Sequence, residues 1–172
     1  MTTADGAAPD VPRVVMMCGV AGSGKTIYAE RLEAEGYVRL SIDEEVWSRF
    51  GRYGVDYDAA QYPEHSAAAE SALRDRLVSL IREGRSVVVD FSFWQRARRD
   101  DYKQLIEDAG GRWRLVYLKV DPAVLRERLG ERSQRFDANA AFPITEDILT
   151  SYLSGFEEPN GEGEEVISSP SS

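Results

Sequence analysis

Short, wholly apolar runs alternate along this chain with longer stretches in which apolar residues recur every three to four positions. Val14-Val15-Met16-Met17-Cys18, Val87-Val88-Val89 and Leu115-Val116-Tyr117-Leu118 lack the in-and-out alternation of a half-solvated strand. Such runs suit strands buried on both faces, as in parallel sheets covered by helices. Between them lie helical patterns. These cover Lys25–Glu35, closed by Gly36, and His65–Glu83, with Leu73, Leu77, Leu80 and Ile81 on one face. Two more cover Trp94–Ala109 and a segment from Asp121-Pro122, a cap followed by proline, to Arg132. Tyr37–Ser41 reads as a second strand running out to Asp43, with one or two helical turns over Glu44–Phe50. Gly51–Pro63 is rich in Gly, Tyr and Asp without an apolar period and reads as a loop. Arg135–Pro143 reads as irregular, Thr145–Phe156 as a last helix and Val166-Ile167 as a short fifth strand. The alternation predicts one α/β domain with a parallel sheet over residues 13–168. A disordered segment, 1–12, precedes it, and a frayed end, 169–172, follows.

The junction of the first strand and first helix carries Gly19-Val20-Ala21-Gly22-Ser23-Gly24-Lys25-Thr26. This fits G-x-x-x-x-G-K-[ST] at every fixed position. Strand, glycine loop and helix in that order bring phosphates to a helix N-terminus. Backbone N–H groups around Gly22, Ser23, Gly24, Lys25 and Thr26 wrap the phosphates. Lys25 neutralises the β and γ oxygens, and the Thr26 hydroxyl holds Mg²⁺. The motif therefore predicts binding of a nucleoside triphosphate, with ATP and Mg²⁺ as the expected pair.

Other residues are placed to act on that phosphate. Asp90 follows three valines at a strand end, where an acid suits Mg²⁺, directly or through water. Its alternative is a helix cap. Asp43 lies where strand ends converge on the ligand crevice of a doubly wound sheet. There it can take a proton from an attacking hydroxyl. Its alternative is capping the next helix, which Glu44 and Glu45 also favour. Arg126, Arg128, Arg132 and Arg135 form a cationic run, and Arg128 and Arg132 share a helical face. Cations over a transferring phosphate stabilise its charge; the alternative is a solvated, ion-paired helix. Tyr53, Tyr57 and Tyr62, with Trp47 and Phe50, cluster after Asp43 and suit the lining of an acceptor pocket; the alternative is surface packing or a loop anchor. Phe93 and Trp94 are placed to close such a pocket. Arg96, Arg98 and Arg99 are expected in solvent, with Arg99 alone placed to reach inward. His65, the lone histidine, is expected to be structural or at the surface.

Composition narrows the partners. The 172 residues suit one domain with a real core. A net charge of −9, from 21 basic and 30 acidic residues, argues against nucleic acid as a partner. Lys25, Lys103 and Lys119 are the only lysines, so arginines supply nearly all the cations. Cys18, the single cysteine, is expected to be a buried core residue. It forms no intrachain bridge, so a cytoplasmic setting fits. No apolar run nears the length of a membrane span.

Several stretches together resemble a known group. They are Gly19–Thr26, Leu40-Ser41-Ile42-Asp43, Val87–Asp90, Arg99, Leu115–Val120, Leu125-Arg126-Glu127-Arg128-Leu129 with Arg132, Phe142-Pro143-Ile144-Thr145 and Phe156-Glu157-Glu158-Pro159. From Val14 to Ile167 the chain resembles the small AAA-type P-loop kinases. These are relatives of the 5′-kinase domain of phage polynucleotide kinase, chloramphenicol phosphotransferase and zeta toxins. The resemblance implies a three-layer αβα P-loop NTPase fold with a parallel five-stranded sheet in the order 2-3-1-4-5 and an arginine-bearing lid. It implies that Asp43 is the general base and that Arg128 and Arg132 grip phosphate. Polynucleotide kinases typically carry an arginine shortly after the base. Here position 46 is valine, and the nearest candidate is Arg49. The expected activity is transfer of the γ-phosphate of ATP to a hydroxyl of a small molecule such as an antibiotic, nucleoside or sugar nucleotide. Arg49, Tyr53, Tyr57 and Trp94 are the candidate acceptor contacts. A polynucleotide 5′-hydroxyl kinase and a nucleotide-binding switch are the rival readings.

Overall fold

The structure is a computed structural model that describes residues 11–19, 23–132, 150 and 154–168. The expectations for most of the first twelve residues, for Arg135–Pro143, for most of Thr145–Phe156 and for the C-terminal end fall outside that set. Strands β1 (Arg13–Cys18), β2 (Val38–Leu40), β3 (Val87–Val89), β4 (Arg112–Lys119) and β5 (Glu164–Ser168) alternate with helices. The helices are α1 (Lys25–Ala34), α2 (Ile42–Phe50), α3 (Tyr62–Arg82), α4 (Arg96–Asp108) and α5 (Pro122–Arg132). The five strands form one sheet in the order β2-β3-β1-β4-β5. Every pairing is parallel; Val15 of β1, for example, faces Val88 of β3 and Arg114 of β4. This is the expected 2-3-1-4-5 P-loop NTPase sheet. No helix among the described residues is long and apolar enough to cross a membrane.

The strand pleat divides the core in two. Val14, Met16 and Cys18 point to the face covered by Leu73, Leu77 and Ile81 of α3 and Tyr102 and Ile106 of α4. Val15 and Met17 point the other way, against Ala29 and Leu32 of α1 with Val88, Val116 and Leu118. All five residues from Val14 to Cys18 are at most 1% exposed. Each large aliphatic side chain so buried contributes roughly 1.5–3 kcal/mol. A double-sided burial of this kind explains why β1 reads as an unbroken apolar run.

Three boundaries differ from the sequence expectation. Helix α2 begins at Ile42, so Asp43 lies in its first turn rather than on a strand end. The cause is Ser41, whose Oγ accepts from the Glu44 N–H at 3.3 Å as N-cap, with Asp43, Glu44 and Glu45 favouring the positive helix end. The tyrosine-rich loop is more ordered than its composition suggests. Asp58 caps a 3₁₀ turn over Ala59–Gln61, accepting from the Ala60 N–H at 2.9 Å, while the Gln61 side chain accepts from the Asp58 N–H at 3.2 Å. Helix α3 then starts at Tyr62, with Pro63 in the first turn, where its missing N–H costs nothing. Strand β5 is longer than Val166-Ile167, and Arg114 Nη2 donates to Glu165 Oε1 across its pairing with β4 at 2.7 Å.

Arg99 is not in solvent. Its side chain is 0% exposed and forks onto Glu162, 2% exposed, through Nε and Nη2, both at 2.8 Å. Lys103 Nζ donates to the Glu162 carbonyl at 2.8 Å. The acidic segment after Phe156 is therefore clamped to α4 just before it becomes β5. Arg98 also has a partner, Glu70 at 2.7 Å.

Candidate active site

The glycine loop leaves β1 at Gly19, whose N–H donates to the Ser92 carbonyl at 3.1 Å and ties the loop to the chain after β3. A Cβ on Gly19 would meet Ser23 Oγ at 2.7 Å and the Leu118 carbonyl at 3.1 Å, so the turn needs glycine. Gly24 starts α1 from the left-handed region, φ 97°, with no side-chain cap and no acid in the first helical turn. A helix start with no side-chain cap and no first-turn acid suits an anion. Ser23 Oγ is buried and has no hydrogen-bond partner among the described residues. Gly22 lies outside those residues. Lys25 and Thr26 open α1.

Two other elements close on this cradle. A Cβ on Gly24 would lie 3.9 Å from Arg128 Nη1, which places the α5 guanidinium beside the loop. Arg132 ends α5, and its side chain is not among those described. From β3, Asp90 Oδ2 accepts from Thr26 Oγ1 at 3.4 Å. The helix start without a side-chain cap, the Ser23 hydroxyl without a partner among the described residues and the Thr26–Asp90 pair together fit a Mg²⁺-bound nucleotide. No group of three or more His, Cys, Asp or Glu side chains suited to a metal occurs among the described residues. Mg²⁺ needs none, because it takes most of its shell from phosphates and water. The turn after Asp90 carries strain: Phe93 is the one non-glycine residue with positive φ, 51°, among the described residues. Its carbonyl accepts from Arg99 Nη1 at 2.8 Å.

Asp90 has a partner that the motif reading missed. Arg39 Nε and Nη2 donate to its Oδ2 at 3.1 and 2.7 Å, and Arg39 also pairs with Glu44 through Nη1. Burial opposes the Arg39 charge, but Asp90 and Glu44 more than offset it and hold its pKa above the ordinary arginine value. The sequence signals the need for a partner but not which one. Arg39 is a charge in the middle of a short apolar strand, and such a charge needs a partner.

The residues expected to contact an acceptor gather around α2. Tyr62 Oη donates to Asp43 Oδ1 at 3.3 Å. Tyr53 meets Tyr62 edge-on with ring centroids 5.6 Å apart and Tyr57 at 6.2 Å. His65 stacks on Phe50 at 3.8 Å and meets Tyr57 at 4.8 Å. His65 is thus a packing residue, as expected. Burial, then Tyr53 and Asp43, raise the Tyr57 phenol above its ordinary value. Arg49 pairs with Glu45 at 3.9 Å and lies over the Phe50 ring. Arg52 is held by Asp56 at 3.0 Å. Tyr53 and Tyr57 therefore share one cluster with Asp43 through Tyr62. Trp94 lies against the C-terminal segment, its carbonyl accepting from the Glu157 N–H at 2.8 Å.

Cys18 ends β1 beside this site, fully buried as expected. Burial pushes its thiol up to about 12, with Arg99 and Lys25 opposing the rise. It is no nucleophile at neutral pH.

A family model described as an AAA domain matches residues 14–159. Over 124 residues the chain is 26% identical to the UPF0200 protein PAE1629 of Pyrobaculum aerophilum, covering 72% of this chain and 68% of that one. A kinase-like protein of Chloroflexus aurantiacus superposes with a TM-score of 0.72 at 19% identity, over 92% of this chain and 85% of that one. A gluconokinase from Sinorhizobium meliloti superposes with a TM-score of 0.60 at 27% identity, over 92% and 83%.

Proposed function

The chain belongs to the AAA domain family, in the small P-loop kinase group, and from that premise we propose that it is an ATP-dependent phosphotransferase acting on a hydroxyl of a small molecule. One observation carries the reading. A carboxylate, Asp43, sits in an aromatic cluster on α2, while Arg39 joins the next residue, Glu44, to Asp90 and so to Thr26. A nucleotide site alone has no use for that second half.

ATP would lie with its phosphates on Ser23–Thr26 at the start of α1. Mg²⁺, when bound through Thr26 and Asp90, supplies charge neutralisation on the phosphate oxygens. Asp43 takes the proton of the acceptor hydroxyl as the hydroxyl oxygen bonds to the γ-phosphorus and the bond from that phosphorus to the β–γ bridging oxygen breaks. The products are the phosphorylated acceptor and ADP. Lys25 and Arg128 stabilise the charge spread over the transferring group, with Arg132 as a second candidate. Tyr53, Tyr57 and Tyr62 offer ring faces and hydroxyls to the acceptor.

The acceptor side also favours a small molecule over a polynucleotide. Its two arginines, Arg49 and Arg52, are paired with Glu45 and Asp56, and the segment 43–65 carries Asp43, Glu44, Glu45, Asp56, Asp58 and Glu64. That surface repels a phosphate backbone. The test is ATP consumption across a panel of hydroxyl compounds that includes a 5′-hydroxyl oligonucleotide, with mass spectrometry of the products. A phosphorylated small molecule supports the proposal. Efficient labelling of the oligonucleotide alone contradicts it.

A further inference from the structure

The scheme above gives one buried cation no chemical step. Arg39 is the only charged residue of β2, and its side chain is 4% exposed, as is that of Asp90. Its guanidinium faces two ways. Nε and Nη2 converge on Asp90 Oδ2 at 3.1 and 2.7 Å, the same oxygen that accepts from Thr26 Oγ1 at 3.4 Å. Nη1 reaches Glu44, the residue after Asp43 in the first turn of α2. The backbone makes the same junction, because the Asp90 N–H donates to the Leu40 carbonyl at 2.8 Å. A planar fork can serve two carboxylates in fixed directions; a lysine ammonium is a point charge and cannot.

We propose that Arg39 is a positioning residue that joins the two halves of the site, aiming Asp90 at Thr26 with one edge and fixing the base-bearing turn of α2 with the other. The inference rests on the reading of Asp90 and Asp43 given above. Without Arg39, the buried Asp90 carboxylate loses the two hydrogen bonds from Nε and Nη2. An ion pair that served stability alone would shift the melting temperature and nothing else.

The test is titration of the protein with ADP, with and without Mg²⁺, beside thermal melts. Arg39→Gln is expected to keep its Mg²⁺-free ADP affinity within about twofold. It should lose about tenfold of the gain that Mg²⁺ gives the wild type. Glu44→Gln breaks only the α2 arm, so its Mg²⁺-ADP affinity should match the wild type while acceptor phosphorylation slows several-fold. Arg39→Lys should resemble Glu44→Gln and serves as the deciding variant if Arg39→Gln does not fold. An Arg39→Gln protein with the full Mg²⁺ gain and only a lower melting temperature overturns the proposal. So does an Arg39→Lys protein unchanged in both binding and transfer. A wild type that gains nothing from Mg²⁺ fails at an earlier step and removes the nucleotide-site reading along with this inference.

Discussion

Tyr62 Oη donates to Asp43 Oδ1 at 3.3 Å, linking the first turn of α3 to the first turn of α2. The bond gives the proposed base one oriented contact. Tyr62→Phe keeps the ring in its cluster and removes only the hydroxyl. A hydrogen bond to a charged group is worth about 1.5–3 kcal/mol at most, so transfer should fall by about tenfold. Steady-state kinetics should show the loss in kcat, with ATP affinity unchanged. An unaltered kcat would mean that Asp43 is held without Tyr62.

The glycine positions separate binding from stability. Gly19→Ala would push a Cβ to 2.7 Å from Ser23 Oγ and 3.1 Å from the Leu118 carbonyl. ADP affinity should fall by at least about tenfold, because the phosphate turn must shift. Gly84→Ala is the control. It also has positive φ, 80°, but a Cβ there meets nothing within 4 Å. That variant should cost about 1 kcal/mol of stability and leave ADP binding intact. Isothermal titration and chemical denaturation of the two proteins check the contrast.

Arg99 and Glu162 anchor the chain that leads into β5. Removing one partner of a buried pair strands the other, so Glu162→Gln should cost about 3–5 kcal/mol. The pH dependence follows from the shift of Glu162. The hydrogen bonds from Arg99 hold its carboxyl below the ordinary carboxylate value, against the opposing effect of burial. A depressed folded-state pKa gives stability that is complete above the unfolded-state value and is lost as pH falls through the folded-state value. Wild-type melts should therefore lose stability on acidification below about pH 4.5, and Glu162→Gln should show a shallower fall. Equal slopes would locate the acid sensitivity elsewhere.

Cys18 gives a probe of intactness. With its thiol raised to about 12, the thiolate is scarce at pH 8 and the sulfur is buried. A thiol reagent should label the folded protein far more slowly than the denatured chain. Rapid labelling of native protein would show that the end of β1 opens.

Much of this architecture was legible in the sequence because its signals are local. β1 runs over Arg13–Cys18 as its apolar stretch suggests, and the order of the sheet follows the group the motifs resemble. The glycine loop joins β1 to α1 as the motif requires. What was illegible depended on distant partners or on a competing cap. Arg99 reads as one of several helix arginines until Glu162, 63 positions away, folds onto it. Asp43 reads as a strand end until Ser41 takes the N-cap and draws it into α2. The tie from Arg39 to Asp90 spans 51 residues, and no motif records it. The tyrosine segment looked like open loop because its order comes from an Asp58 capping box and ring contacts, which have no apolar period.

The central claim is that Asp43 directs the γ-phosphate to a hydroxyl, and one comparison tests it most directly. Wild type and Asp43→Asn are to be mixed with Mg²⁺-ATP and the acceptor identified by the panel. Phosphorylated product is counted in a single turnover, and Mg²⁺-ADP affinity is measured on the same samples. The amide keeps the size of the side chain and removes the base. The account predicts nucleotide affinity within about twofold of wild type and transfer slower by about 10²–10⁴-fold. An Asp43→Asn protein that phosphorylates the acceptor at the wild-type rate contradicts it.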